Sequence, residues 1–145
     1  MRVCRKLGIK DLQLLLSTQK YADALELWEI NTESARQFLS NPTNYFFACI
    51  EDEKIIGWIC GHELNRLDDA GNMLYIHGVA VHADYRRQGI GKQMINELKE
   101  LCKLSGICRM YLYTHKINAA ACALYDSTGG YAHRDDCVSY FFNEL

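Results

Sequence analysis

Residues 86–91, which read Arg-Arg-Gln-Gly-Ile-Gly, form a turn between a β-rich run and an amphipathic helical pattern. Gly89 and Gly91 lack the side chains that would keep a ligand away from the backbone, and the free N–H groups at a helix start attract an anion. The turn therefore suits a pyrophosphate. Its spacing matches neither Gly-x-x-x-x-Gly-Lys-Ser/Thr nor Gly-x-Gly-x-x-Gly, which argues against a P-loop NTPase and a Rossmann unit. Taken alone, the six residues fit an ordinary turn with solvated arginines equally well.

Two side chains have the chemistry to move a proton. The phenol of Tyr125 ordinarily has a pKa of about 10, somewhat above the value of about 8.5 for a thiol, so it can share a proton with a departing thiolate. His77 lies two residues before Val79, so on a regular strand the two side chains share a face, and an imidazole accepts a proton near neutral pH. The alternatives are a core tyrosine on an amphipathic helix and a buried, hydrogen-bonded histidine.

Metal chemistry is not indicated. The remaining histidines are not spaced as a metal site with one another or with the cysteines: His62, His82, His115 and His133. We therefore predict no metal.

The elements that must position these residues alternate between helical and strand-like patterns. Strands are predicted at residues 1–7, 45–50, 54–62, 73–82, 107–113 and 138–142, with an acidic hairpin turn at 51–53 and a polar loop at 65–72. Helices are predicted from Asp11, as the cap, through Leu16, over 21–39, from Ile90 to a cap at Gly106, and over 118–126. The order predicts one α+β domain, residues 1–145, around a mixed sheet.

Composition narrows the class of partner. The 145 residues carry a net charge of −2, which suggests neither a nucleic-acid nor an anionic-membrane surface and favours a small-molecule partner. Seven cysteines, an odd number without a Cys-x-x-Cys pair, indicate a reduced, cytoplasmic protein. No apolar run approaches the length of a membrane span, and no leader pattern follows the first charged residues.

Two motifs resemble the signatures of the GNAT superfamily of N-acetyltransferases. Residues 79–91, Val-Ala-Val-His-Ala-Asp-Tyr-Arg-Arg-Gln-Gly-Ile-Gly, are similar to its acetyl-CoA signature, a strand followed by Arg/Gln-x-x-Gly-x-Gly/Ala. Residues 118–125, Asn-Ala-Ala-Ala-Cys-Ala-Leu-Tyr, with Gly129 beyond them, resemble its second signature. The family places an aromatic residue directly after that last glycine, whereas this chain inserts Gly130 before Tyr131. The resemblance implies the GNAT fold, a mixed and mostly antiparallel central sheet flanked by about four helices.

The resemblance also implies acetyl-CoA as co-substrate and assigns site residues. The amides that cradle the pyrophosphate in the family correspond here to the turn after Arg86, namely Arg87, Gln88, Gly89, Ile90, Gly91 and Lys92. The strand at Val79 and Val81 would pair with the pantetheine arm, and Asn118 would bond it. The Val79 N–H would stabilise the oxyanion and Tyr125 would act as general acid. His77 would be the base, as in arylalkylamine acetyltransferases, which carry a strand histidine there, whereas polyamine acetyltransferases carry a glutamate.

The sequence says less about the acceptor amine than about the cofactor. The pattern from Gly57 to Val81 is most similar to type I aminoglycoside 3-N-acetyltransferases, but Gly78 replaces the acidic residue of that family. Acidic residues could hold a polycation, although solvated charges are the commoner explanation: Asp23, Glu26, Glu29, Glu33, Asp68, Asp69, Asp135 and Asp136. Trp28 and Tyr21 could floor an acceptor pocket, but their helical spacing favours the core.

Other interpretations remain open. A protein or peptide amine is the runner-up acceptor beside arylalkylamines and polyamines. A non-catalytic acetyl-CoA-binding sensor and an interaction module that has lost the cofactor are alternatives from other classes. The resemblance also allows a homodimer, since homodimers are common in the family.

Overall fold

A five-stranded sheet organises the computed structural model, which describes residues Met1–Leu145. The strands are β1 (Arg2–Lys6), β2 (Asn44–Glu51), β3 (Lys54–Leu64), β4 (Asn72–Val81) and β5 (Ile107–Leu112), and they lie side by side in that order. The first four pair antiparallel, whereas β4 and β5 pair parallel. The predicted mixed, mostly antiparallel sheet is confirmed.

Four α-helices cover the sheet: α1 (Leu12–Ser17), α2 (Thr32–Ser40), α3 (Ile90–Leu104) and α4 (Ala119–Ser127). Short 3-10 turns occupy Ile9–Asp11, Thr18–Tyr21, Asp23–Leu25 and Ala83–Tyr85. The number of helices agrees with the GNAT expectation. None of them combines the length and apolarity needed to cross a bilayer.

The predicted hairpin between β2 and β3 is confirmed, and its turn explains its register. Asp52 and Glu53 both have positive φ, 49° and 62°. Two successive left-handed residues are the backbone of a type I′ turn, whose twist matches that of the two strands it joins.

The two faces of the sheet bury separate cores. On one face, Ile59, Leu74 and Ile76 pack against the apolar stripe of α3, which includes Met94 and Leu98. On the other, the strand residues pack against α1, the segment that follows it and α2: Phe46, Ala48, Ile55, Trp58 and Cys60. Residues at alternate strand positions thus serve different helices, as the period of a strand requires.

The predicted helix over residues 21–39 is wrong in its first half. The chain there makes a 3-10 turn to Leu25, and Glu26 adopts a left-handed conformation with φ 51° that ends it. Helix α2 begins only at Thr32, where the Asn31 side chain accepts a hydrogen bond from the Ser34 N–H, at 2.9 Å. An asparagine cap of this kind starts a new helix, so residues 26–31 form an irregular connection.

Asp11 precedes α1 as predicted, but its carboxylate does not cap that helix. It accepts hydrogen bonds from the Gly8 N–H, at 2.8 Å, and from both terminal nitrogens of Arg5. The arginine on β1 competes successfully for the carboxylate because it offers a charged, bidentate donor.

The strand predicted at residues 138–142 is also wrong. The structure assigns no helix or strand after Ser127, and the large side chains of this segment are exposed: Val138, Tyr140, Phe141 and Phe142. β-forming side chains make a strand only where a neighbour pairs with the backbone. This chain supplies no such partner to the segment.

Candidate active site

The site begins where β4 separates from β5. The parallel pairing ends at Ile76 and Leu112, while β4 continues to Val81 with only β3 beside it. The His82 N–H donates to the Ile56 carbonyl oxygen, at 2.8 Å. Since backbone groups alternate in direction along a strand, those of Val79 and Val81 point away from β3, into the gap. The gap therefore presents the edge that the resemblance assigns to the pantetheine arm.

The turn before α3 has the backbone of an anion site. Arg87 and Gly89 both have positive φ, 60° and 76°, and a Cβ at Gly89 would meet no atom within 4 Å. The N–H groups of Arg87, Gln88 and Gly89 donate to no protein acceptor. The next three amides belong to the first turn of α3, where the helix supplies no acceptor. Successive free amides around left-handed residues form a concave nest that fits a phosphate group.

Gly91 has a different role from the one expected from the sequence. A Cβ there would lie 3.2 Å from Leu124 Cδ2 on α4, a contact tighter than most real ones. The absence of a side chain at this position therefore lets α4 approach α3. Only Gly89 presents open space on the side of the turn where a ligand would lie.

Side chains distant in the sequence surround the turn. Arg2 on β1 donates to the Gln88 side chain and pairs with Glu51, at 2.9 Å. Arg86 donates from Nε to the Val81 carbonyl oxygen, at 3.2 Å, and its Nη2 lies 3.8 Å from a Glu26 carboxylate oxygen. Neither Arg2 nor the Glu26 contact is predictable from the sequence, because no local pattern links residues so far apart.

Helix α4 positions the two predicted residues of the second signature. The Asn118 Oδ1 accepts the Ala121 N–H at 3.1 Å, so this side chain caps the helix. Tyr125 is half-buried and packs against the α3 core, as do Val79 and Val81. Burial, together with the nearby Cys122 thiol, raises the pKa of the Tyr125 phenol. The structure thus places Tyr125 on the same face as the two β4 valines, with its proton retained.

His77 does not share a face with Val79, contrary to expectation. Cys60 pairs with Gly78 and Gly61 with Ile76, so His77 is the extra residue of a β-bulge. A bulge shifts the alternation of side chains by one position. His77 is consequently exposed on the opposite face, so the alternative of a buried histidine is wrong.

Aromatic rings surround His77 on that face. The Trp28 ring centroid lies 5.2 Å from that of His77 and 5.2 Å from that of Trp58, and the His62 ring contacts His77 edge-on at 5.9 Å. Trp28 is half exposed and lies in the irregular connection, so its predicted place in the core is wrong. Burial and His77 lower the pKa of His62, which also bonds Asn44 at 3.1 Å.

Most of the acidic side chains considered for a polycation are already paired with a cation of this chain. The ion pairs are Glu26–Arg86, Glu33–Arg36, Asp68–Arg66, Asp135–Lys116 and Asp136–Arg134. No group of three or more histidine, cysteine or acidic side chains is arranged to hold a metal ion.

The fold and the turn together define the acyltransferase class that the sequence motifs resemble: a mixed sheet that opens between β4 and β5, with an amide nest at the start of α3. The model of the acetyltransferase (GNAT) family matches residues 9–131. The chain belongs to this family.

Two N-acetyltransferases are similar in sequence to parts of this chain. The chain is 37% identical over 54 residues to the [ribosomal protein bS18]-alanine N-acetyltransferase of Escherichia coli strain K12, over 37% of this chain and 36% of that enzyme. It is 24% identical over 98 residues to human N-acetyltransferase 8, over 68% of this chain and 43% of that protein. The matches thus span less than half of these relatives' lengths.

Solved structures show the same fold over the whole chain. The aminoglycoside acetyltransferase meta-AAC0020, from an uncultured soil metagenomic sample, superposes with a TM-score of 0.82 over 99% of this chain and 96% of its own, at 22% identity. The aminoglycoside N-acetyltransferase AAC(6′)-Iy, in complex with a bisubstrate analogue, gives a TM-score of 0.78 over 100% and 99%, at 15% identity.

Proposed function

We propose that this chain transfers the acetyl group of acetyl-CoA to a primary amine of a small molecule, by direct attack through a tetrahedral intermediate. The observation that carries the proposal is the nest of free amides from Arg87 to Gly89, directly after the unpaired edge of β4. A pyrophosphate on the nest would leave the pantetheine arm to run along that edge, with Val79 and Val81 as partners.

One residue can then be assigned to each step of the transfer. The Val79 N–H, directed into the gap, would donate to the oxyanion that forms on the thioester carbonyl. The Tyr125 phenol, whose raised pKa keeps its proton in place, would protonate the departing thiolate. His77, on the other face of the sheet, would take the proton of the attacking amine directly or through a water molecule.

Two kinds of acceptor follow from the relatives. An aminoglycoside is a candidate because the sequence pattern resembles that of aminoglycoside acetyltransferases. A protein N-terminal amine is the second candidate, favoured by the 37% identity to the ribosomal-protein enzyme over 54 residues. Retention of Tyr125 and of the amide turn favours an enzyme over a sensor or a simple interaction module.

Calorimetric titration of the protein with CoA tests the cofactor site. Gly89→Glu should abolish binding, since its side chain would enter the open space at the nest and add a negative charge. Gly106→Glu is a matched control, because Gly106 has a similar φ, 73°, and equally open surroundings at the far end of α3. Equal CoA affinity in both variants would refute the proposed site.

Mass spectrometry of reactions with acetyl-CoA would then identify the acceptor. The amines to be screened are aminoglycosides, polyamines, arylalkylamines and peptides with a free N-terminus. Acetylation of peptides alone would replace the small-molecule proposal with the second candidate. Intact CoA binding without acetylation of any amine would favour the sensor.

A further inference from the structure

The exposed face around His77 is built from flat rings. The half-exposed Trp28 ring leans on both His77 and Trp58, at interplanar angles of 51° and 52°. Phe46 stacks beneath Trp58 at 5.8 Å and 18°. The outermost ring of this stack, Trp28, is 50% exposed and therefore has surface left for a ligand.

Gly78 makes room for this stack. A Cβ at Gly78 would lie 2.8 Å from two ring carbons of Trp58 and 3.5 Å from Trp28 Cη2. This is the position at which the aminoglycoside pattern has an acidic residue. In this chain a side chain at position 78 would collide with the Trp58 ring, so the glycine lets the two indole rings lie against the strand.

The ion pairs of the acidic side chains also favour an aromatic acceptor over a polycation. Five of the eight carboxylates considered for a polycation are paired within the chain, and only Asp23, Glu29 and Asp69 are outside these ion pairs. A polycationic acceptor would have to break ion pairs or bind to scattered charges. An aromatic acceptor would bind to a surface that is already formed.

We infer that the acceptor is a primary amine that carries a flat aromatic ring, and that Trp28 determines this specificity by stacking on the ring beside His77. The inference rests on the proposed acetyl transfer. Stacking of the ring on Trp28 would hold the amine next to the imidazole that is to take its proton. Aromatic pairs in such offset or tilted geometries gain affinity beyond the apolar area that they bury.

A matched pair of substrates tests the inference: 2-phenylethylamine has a flat ring, and 2-cyclohexylethylamine has the same chain and a puckered ring. With wild-type protein, kcat/KM for the aromatic amine should exceed that for the saturated amine by roughly three- to tenfold. Trp28→Leu should bring the ratio close to one through KM, whereas Trp28→Phe should keep most of it. CoA affinity, measured by calorimetry, should be the same in all three proteins.

The results of these measurements distinguish failure of the aromatic-acceptor inference from failure of the proposed acetyl transfer. A ratio near one in the wild type, a ratio unchanged in Trp28→Leu, or efficient acetylation of the aminoglycoside neamine or of spermidine in preference to 2-phenylethylamine would overturn the inference alone. Absence of CoA binding by the wild type would overturn the proposed function and the inference with it.

Discussion

A Cβ atom at Gly78 would lie 2.8 Å from two ring carbons of Trp58, closer than Cβ atoms approach other atoms in folded proteins. The Trp58 ring cannot yield easily. It is buried, it stacks on Phe46, and its Nε1 donates to the Leu25 carbonyl oxygen at 2.8 Å. Glycine at position 78 is therefore required by the packing of this sheet face.

Gly78→Ala should lower the free energy of unfolding by about 1–3 kcal/mol, the usual cost of overpacking a core. Urea denaturation measures it. The double variant Gly78→Ala with Trp58→Phe removes the ring carbons that the methyl group meets, so its loss should be smaller than the sum of the two single losses. Additive losses would show that the contact is not the cause.

Gly91 and Leu124 allow a similar test of the contact between α3 and α4. We expect Gly91→Ala to leave CoA affinity nearly unchanged, because position 91 faces Leu124 and not the open side of the turn. In a Leu124→Ala background the same substitution should be more favourable for stability by about 1 kcal/mol, since the methyl group then has room. A large loss of CoA affinity in Gly91→Ala would restore the role predicted from the sequence.

The parts of the fold that could be predicted were those with a clear period. The strand alternation of β2 to β5 and the apolar stripe of α3 depend on local spacing, and their positions agree with the structure to within a few residues. The left-handed conformation of Glu26 has no such signal, since it is rare outside glycine and asparagine. The helical spacing therefore predicts, wrongly, that Trp28 lies in a helix and in the core.

The sequence predicts the part of the site that backbone groups form. It does not predict the part that depends on an irregular pairing of two strands. The turn at residues 86–91 follows from two glycines and a helix start. The bulge at His77 adds one residue to β4 relative to β3, a difference that appears only when the two strands are paired. The face on which His77 lies thus depended on a long-range register that one strand's sequence does not contain.

Asp11 should make stability depend on pH in acid. The two hydrogen bonds from Arg5 and the Gly8 N–H hold the pKa of this buried carboxyl below its ordinary value. A depressed pKa in the folded state means that the stabilisation is fully present above the ordinary aspartate pKa of about 4 and is lost as pH falls through the lower folded value.

Asp11→Asn should therefore cost about 1.5–3 kcal/mol at neutral pH, since hydrogen bonds to a charged group are lost. The difference from wild type should shrink as the pH is lowered into that acidic range. Thermal melts of both proteins across the acidic range would measure it. A difference that stays constant with pH would mean that the charge of Asp11 contributes nothing.

Tyr125→Phe should lower kcat by about a hundredfold or more while acetyl-CoA affinity stays nearly unchanged, because the ring keeps its packing and only the proton for the thiolate is lost. The raised pKa of Tyr125 predicts that wild-type kcat survives into alkaline pH and falls only as the phenol ionises. Tyr111→Phe on β5 is a control, because burial raises the pKa of that phenol too. A kcat equal to that of wild type would show that Tyr125 packs against the core and donates no proton to the thiolate.

His77 is the residue whose role the structure makes most testable. Its side chain is exposed and makes no hydrogen bond to another protein group, and the rings of Trp28 and His62 lie beside it, so its removal should hardly change the melting temperature. If it takes the proton of the amine, His77→Ala should lower kcat/KM by roughly ten- to a thousandfold. The loss should shrink at acidic pH, because a protonated imidazole cannot act as a base in the wild type either, so the acidic limb of the pH profile should flatten. His77→Gln, which retains polarity without titrating, should show the same loss, and His62→Gln should not. A His77→Ala protein with the wild-type rate and profile would show that the amine loses its proton to bulk water or to an acidic side chain, and not to His77.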